Sequence, residues 1–231
     1  MSGYPGLGLA LTTLALLVPA SLAMAQGKPA PSTPQAKPAP ATAQAKPAAG
    51  GGYAQRFASE CAACHGANGK SEIPGTPILA GQHSYYAVTQ LFLFREGRRS
   101  NEAMTAVAKS LKDADLRGFS DFIGTLAPVS AVPPEAPLDA SRMSRGQMVA
   151  QERKCLFCHG PDLSGGQQVP RIAGQREEYL RESLEGYRLG KRIGYTPAMI
   201  EPASQLSPED VETLAYFAAH LPGASAGSTA K

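Results

Sequence analysis

The chain has 231 residues, with 22 Lys and Arg against 19 Asp and Glu, a formal charge of +3. That excess comes from Lys28, Lys37 and Lys46 alone, so residues 51–231 carry 19 basic and 19 acidic groups. The basic stripe that a nucleic-acid binder presents is absent, which excludes a nucleic-acid partner.

The first 25 residues contain no Lys, Arg, Asp or Glu. Residues 7–20 form an apolar run that ends before Ala23-Met24-Ala25, a small-residue cleavage pattern. Residues 1–25 therefore read as a secretory signal, with export to the periplasm and a mature chain starting near Gln26. No basic residue precedes the apolar run, so a retained leader acting as a membrane tether is the rival reading. Residues 26–52 are mainly Ala, Pro, Gln, Gly and Lys, a composition with nothing to pack and a bias to extended backbone. As a linker it could hold a folded part up to about 80 Å from a membrane, at ~3.1 Å per residue.

Beyond the linker the chain aligns with itself at an offset of 93 to 95 residues. Cys61-Ala62-Ala63-Cys64-His65-Gly66 matches Cys155-Leu156-Phe157-Cys158-His159-Gly160. Pro77, Gly81 and Gln82 match Pro170, Gly174 and Gln175, and Tyr86, Leu91, Phe94, Arg95 and Gly97 match Tyr179, Leu184, Tyr187, Arg188 and Gly190. Met104 matches Met199, and Leu111, Asp115, Leu116, Phe122 and Leu126 match Leu206, Asp210, Val211, Phe217 and Leu221. The order of the series makes it a duplication. Residues 53–126 form a first domain and 142–223 a second. The proline-rich residues 127–141 join them, and residues 224–231 read as a flexible tail.

Each half reads as all-α. A first helix runs from Tyr53 to Cys61 and from Arg145 to Cys155. A second carries Tyr86, Leu91 and Phe94 and stops at Gly97, its counterpart at Gly190. The last shows Leu116, Phe119, Phe122, Ile123 and Leu126 on one face, matched by Val211, Leu214, Phe217, Ala218 and Leu221. Ser207-Pro208-Glu209-Asp210 is a helix start with its cap, an N1 proline and an acid at the third position. Lys112 replaces that serine in the first half, where Asp113 is the nearest capping side chain.

The chemistry lies in the two C-x-x-C-H motifs. Two thiols three residues apart can add to the two vinyl groups of one haem, and the next residue brings an imidazole to the iron. Cys61, Cys64, Cys155 and Cys158 would therefore hold two covalent haem c groups, with His65 and His159 as axial ligands. A zinc site built from the four cysteines would leave the histidine after each pair unexplained. A thioredoxin-like pair needs a βαβ setting that the sequence lacks, and cysteines so close together are poor disulfide staples. Met104 and Met199 are the matched sixth ligands, both in polar, loop-like segments; His/Met ligation raises the reduction potential. Met143, Met148, His83 and His220 have no such match. Met148 reads as helix packing, Met143 as linker, and the two histidines as surface or rim residues. A carbonyl near Pro77 or Pro170 is placed to accept the imidazole N–H and fix its tautomer.

With these motifs, the Leu79-Ala80-Gly81-Gln82 and Ile172-Ala173-Gly174-Gln175 turns and the Gln90-Leu91…Phe94-Arg95-Glu96-Gly97 segment, residues 52–221 resemble the dihaem cytochrome c4 family, built from two class I cytochrome c domains. The long linker and Ser183, where the first half has Gln90, depart from that pattern. The resemblance implies a periplasmic carrier that passes single electrons from a cytochrome bc complex to a haem-copper oxidase or another acceptor. It also implies propionate-bearing haem edges facing each other across a pseudo-twofold interface. The alternatives are an electron-accepting dihaem subunit of a dehydrogenase complex and a dihaem peroxidase. A peroxidase needs an open iron position, and the matched methionines argue against one.

Overall fold

The computed structural model of the chain describes residues 51–131, 133, 136–192 and 197–222. The expected signal segment, residues 26–50 of the linker, residue 223 and the tail at 224–231 lie outside the described residues. The described residues are helical, with a single isolated bridge between Gly166 and Val169. No helix among them is long and apolar enough to cross a membrane.

In the first half α1 (Gly51–Glu60) leads into a single turn, α2 (Ala62–His65). Gly66 then redirects the chain at a φ of 77°. A Cβ there would lie 2.3 Å from the carbonyl oxygen of Lys70, so the turn after the histidine demands glycine on two counts. α3 (Ser84–Arg95) ends before Gly97, as its pattern indicated. α5 (Asp113–Ile123) lays Leu116, Phe119 and Ile123 against Phe57 and Ala87. The α1–α5 crossing is tight at Gly118, where a Cβ would stand 2.1 Å from the Tyr53 ring. Arg56 of α1 pairs with Asp115 of α5 beside it.

The second half repeats this plan with α6 (Ala140–Glu152), α7 (Cys155–His159), α8 (Glu177–Arg188) and α10 (Pro208–His220). Its core joins Val149 and Ala150 to Leu180, Val211, Leu214 and Phe217. Here the glycine of the crossing sits on the other partner: a Cβ on Gly146 of α6 would meet Cβ of Phe217 at 2.3 Å. Duplication has preserved the close approach and not the helix that permits it.

Several local expectations change. α6 starts five residues earlier than Arg145 because the Asp139 carboxylate accepts the backbone N–H groups of Ser141 and Arg142 at 2.9 and 3.0 Å. The added turn places Met143 on the face of Gly146 and Ala150, packed on the core, while Met148 points outward at 50% exposure. The roles expected of these two methionines are thus reversed. α6 also stops short of Cys155, since Lys154 is left-handed at a φ of 57° and separates it from α7. The segment around Met104 is a helix, α4 (Glu102–Lys109), opened by Asn101, whose side chain accepts the Met104 N–H at 2.9 Å. Its counterpart is shorter, a 3-10 turn over Pro197–Met199 followed by α9 (Ile200–Ser204). At the start of α5, Asp115 accepts the Lys112 N–H at 2.9 Å, while Asp113 pairs with Arg95 instead of capping. Ser207 and Asp210 exchange the two hydrogen bonds of a capping box, as their spacing indicated.

The halves meet through polar pairs that obey a pseudo-twofold relation. Gln82 accepts the Arg171 N–H at 3.0 Å and donates to its carbonyl at 3.1 Å. The equivalent Gln175 accepts the Ile78 N–H at 2.7 Å and donates to that carbonyl at 2.9 Å. His83 Nε2 lies 2.9 Å from the Ser164 carbonyl, and the equivalent Arg176 donates through Nε to the Ser71 carbonyl at 3.0 Å. His83 is thus an interdomain contact and not a free rim residue. His220 stacks on Tyr216 with ring centroids 3.9 Å apart. The end of the first domain and the joining segment are stitched to the two turns, Gly81 N–H to the Leu126 carbonyl at 2.9 Å and Ala131 N–H to that of Gly174 at 2.8 Å.

Candidate haem sites

Each Cys-x-x-Cys-His stretch occupies one helical turn, so its first cysteine, second cysteine and histidine share a face. All four cysteines are free of disulfides; Cys64 and Cys158 are exposed and Cys61 and Cys155 half-buried. Burial pushes the Cys61 thiol up to about 11 and raises Cys155 as well, the opposite of the activated thiolate in a thioredoxin-like pair. Among the described residues no three or more His, Cys, Asp or Glu side chains converge to hold a metal ion, so the cysteines do not assemble a shared zinc site.

The two histidines are oriented alike. His65 Nδ1 lies 3.0 Å from the Pro77 carbonyl, and His159 Nδ1 lies 3.0 Å from that of Pro170. A carbonyl only accepts, so Nδ1 carries the proton and Nε2 keeps a free lone pair. Burial lowers the basicity of both rings, against the smaller opposing effect of the carbonyl, and keeps them neutral. A neutral imidazole with Nδ1 anchored is the form that a metal ligand takes. The carbonyl that fixes each ring was legible in the sequence from the equivalent prolines.

Around these rings the loops match in function though not in sequence. In the first half Gly69 is left-handed at a φ of 75° and its carbonyl receives the Leu79 N–H at 2.8 Å. Leu163 does the same for Ile172 at 3.0 Å, holding a φ of 55° that costs a non-glycine residue strain. Its side chain is 2% exposed within the core, which supplies the compensation. Ser71 is fully buried and donates to the Cys64 carbonyl at 2.7 Å, bracing the first motif.

The residues therefore fit a covalently held, axially ligated group in each half: paired thiols on one helix face, a buried neutral imidazole with its outer nitrogen fixed, and an apolar core beside it. Met104 and Met199 are both half-buried near the start of a helix, one inside α4 and one ahead of α9.

Comparison with known proteins supplies the family. The Cytochrome c family model matches twice, over residues 52–127 and 143–222. Cytochrome c4 from Thiocapsa roseopersicina is 33% identical over 163 residues, covering 68% of this chain and 84% of that protein. The chain belongs to the dihaem cytochrome c4 family. A crystal structure of reduced recombinant cytochrome c4 from Pseudomonas stutzeri superposes with a TM-score of 0.66 at 26% identity, over 74% of this chain and 97% of that one. A thiosulfate dehydrogenase electron acceptor from Stutzerimonas stutzeri is 33% identical over 180 residues, 72% of this chain and 82% of that protein. As a cytochrome c4 the chain holds two covalent haem c groups in two tandem cytochrome c domains, and it is an electron carrier.

The contacts between the domains carry no local signature in the sequence. Gln82 and Gln175 were visible as matched residues, but nothing local marks them as cross-domain locks. Arg99 and Arg192 are also equivalent, at the offset of 93. That match was the available signal.

Proposed function

We propose that this cytochrome c4 is a periplasmic carrier, its haems held by thioethers to Cys61 and Cys64 and to Cys155 and Cys158. His65 with Met104 and His159 with Met199 would hold the iron. The bound group supplies a ferric/ferrous couple that takes up and releases one electron per site. The chain's own residues do the remainder. The Pro77 and Pro170 carbonyls hold the imidazoles in one tautomer and one orientation. The apolar cores beside each motif would limit water at the bound group, and the methionine thioethers would raise its potential relative to harder donors. The observation that carries this reading is the pair of identical His-to-proline-carbonyl contacts, 3.0 Å in both halves, joined across the interface by the glutamine locks. Each lock grips the residue immediately after the proline, so both ligand loops are fixed by one interface. Two sites built alike and kept in register suit outer-sphere exchange.

The donor we infer is a quinol-oxidising cytochrome bc complex and the acceptor a haem-copper oxidase. A second reading, favoured by the likeness to the thiosulfate dehydrogenase electron acceptor, is that the chain takes electrons from a dehydrogenase. Stopped-flow reduction of the oxidised holoprotein by each purified donor separates these. Reduction by the bc complex at least tenfold faster than by thiosulfate dehydrogenase with thiosulfate supports the first, and the reverse ratio establishes the second. The leader, retained or cleaved, decides between a tethered and a released carrier, and intact mass of the purified protein reads it.

A further inference from the structure

A second set of cross-domain bonds lies apart from the glutamine locks and reaches the turns that carry the thiols. The residues after Gln82 and Gln175 are His83 and Arg176, each at the N-terminal edge of its helix, α3 or α8. Both lean on the loop that follows the Cys-x-x-Cys-His motif of the opposite half. Arg176 donates to the Ser71 carbonyl through Nε at 3.0 Å and through a terminal nitrogen as well. Ser71 is wholly buried, and its hydroxyl donates to the Cys64 carbonyl at 2.7 Å while accepting the Ile73 N–H at 3.1 Å. His83 Nε2 meets the Ser164 carbonyl at 2.9 Å, and the N–H of that same peptide unit, from Gly165, donates to the His159 carbonyl at 2.8 Å.

Each relay therefore ends on a backbone carbonyl of the motif itself, Cys64 in the first half and His159 in the second. Docking the halves needs only the outer bond of each relay. The buried Ser71 hydroxyl carries it onward to the turn that holds the thiols, and hydrogen bonds in series polarise one another. The two relays differ in charge. Arg176 is a permanent cation with a side chain only 14% exposed. Glu72, 3.8 Å from it, is 79% exposed and shared with Lys70 at 3.7 Å, so water screens most of its balancing effect. His83 makes one bond where Arg176 makes two. Duplication has kept the relay and set the permanent cation on the arm that reaches the first half.

We propose that Arg176 is a positioning residue for the haem of the opposite half, acting through Ser71 on the Cys61–His65 turn and raising the potential of the first haem. Reduction removes one positive charge from the iron, so a desolvated cation nearby favours the ferrous state. The His83 relay braces the second turn in the same manner without a permanent charge, and its loss moves the second potential less. The inference rests on a haem being held by Cys61, Cys64 and His65, so every variant is first checked for two haems by intact mass.

The test is a redox titration of the holoprotein followed by paramagnetic NMR, which resolves the ferric haem methyl signals of the two sites, with Met104→Ala assigning the first. With Arg176→Gln the first midpoint falls by about threefold in its redox equilibrium, as suits a unit charge partly screened near the surface, while the second is unchanged. Arg176→Lys keeps the charge and recovers most of the potential but not the paired bond, so the Ile73 amide exchanges hydrogen faster than in the parent. Ser71→Ala leaves Arg176 and its carbonyl partner in place and also lowers the first midpoint, which reads the relay from its inner end if Arg176→Gln does not assemble. His83→Phe shifts the second midpoint by less than Arg176→Gln shifts the first. An unchanged first midpoint in a two-haem Arg176→Gln protein would overturn the proposal and leave Arg176 as a docking contact. Equal falls in both midpoints would overturn it too, since they would show a general field and not a relay to one turn.

Discussion

Gln82 grips both backbone polar groups of Arg171, accepting its N–H at 3.0 Å and donating to its carbonyl at 3.1 Å. Arg171 follows Pro170, whose carbonyl holds the ring of His159. A side chain of the first domain therefore fixes the loop that orients the histidine of the second, and Gln175 returns the relation through Ile78.

Replacing Gln82 with Ala strands a buried N–H and carbonyl, at a cost of about 1–3 kcal/mol. Calorimetry of the holoprotein is expected to show the unfolding of the two halves lying further apart in temperature than in the parent. The double variant with Gln175→Ala should separate them further.

The close helix crossings are equally exposed to test. Gly118→Ala drives a Cβ into the Tyr53 ring, and Gly146→Ala drives one into Phe217. Each should cost about 1–3 kcal/mol of overpacking strain. Each should also lower the Tm of its own half, with the haem spectrum of the other half unchanged. Equal effects on both halves would contradict two separate cores.

This pattern shows what was readable beforehand. The helices, the duplication and the His-to-proline contacts followed from periodicity and from equivalent residues such as Pro77 and Pro170. The helix around Met104 did not, because Glu102–Lys109 has few large apolar side chains and depends on the Asn101 cap. The break at Lys154 and the strained Leu163 were equally hidden, since left-handed backbone at a non-glycine residue is set by surrounding packing. The cross-domain pairs escaped for the same reason: Gln82 and Arg171 lie 89 residues apart and meet only in three dimensions.

The Arg56–Asp115 pair gives the α1–α5 crossing a pH dependence. The hydrogen bond from Arg56, followed by that from the Lys112 N–H, holds the Asp115 carboxyl below its ordinary value. The native value lies below the unfolded one, so the stabilisation is complete above the unfolded pKa of about 3.9 and is lost as pH falls through the native value. Asp115→Asn should therefore lower Tm at pH ~7 and approach the parent as pH falls through the native value of the Asp115 carboxyl. A Tm difference that persists undiminished in acid would show that packing, and not charge, explains the loss.

Met104→Ala should leave the first haem without its thioether and able to bind cyanide, with a midpoint lower by on the order of 0.1 V within the ~0.8 V that axial ligation spans. The second haem should keep its potential and its spectrum. Met199→Ala should give the mirror result, and spectroelectrochemistry with and without cyanide reads both.

The most direct test of the carrier account is near-infrared magnetic circular dichroism of the ferric protein as isolated, which counts iron sites bound by a thioether. Two such sites per chain, falling to one in Met104→Ala and one in Met199→Ala, is the result expected. A single thioether-ligated site in the parent, with the other haem high-spin and open to cyanide or peroxide, would contradict it.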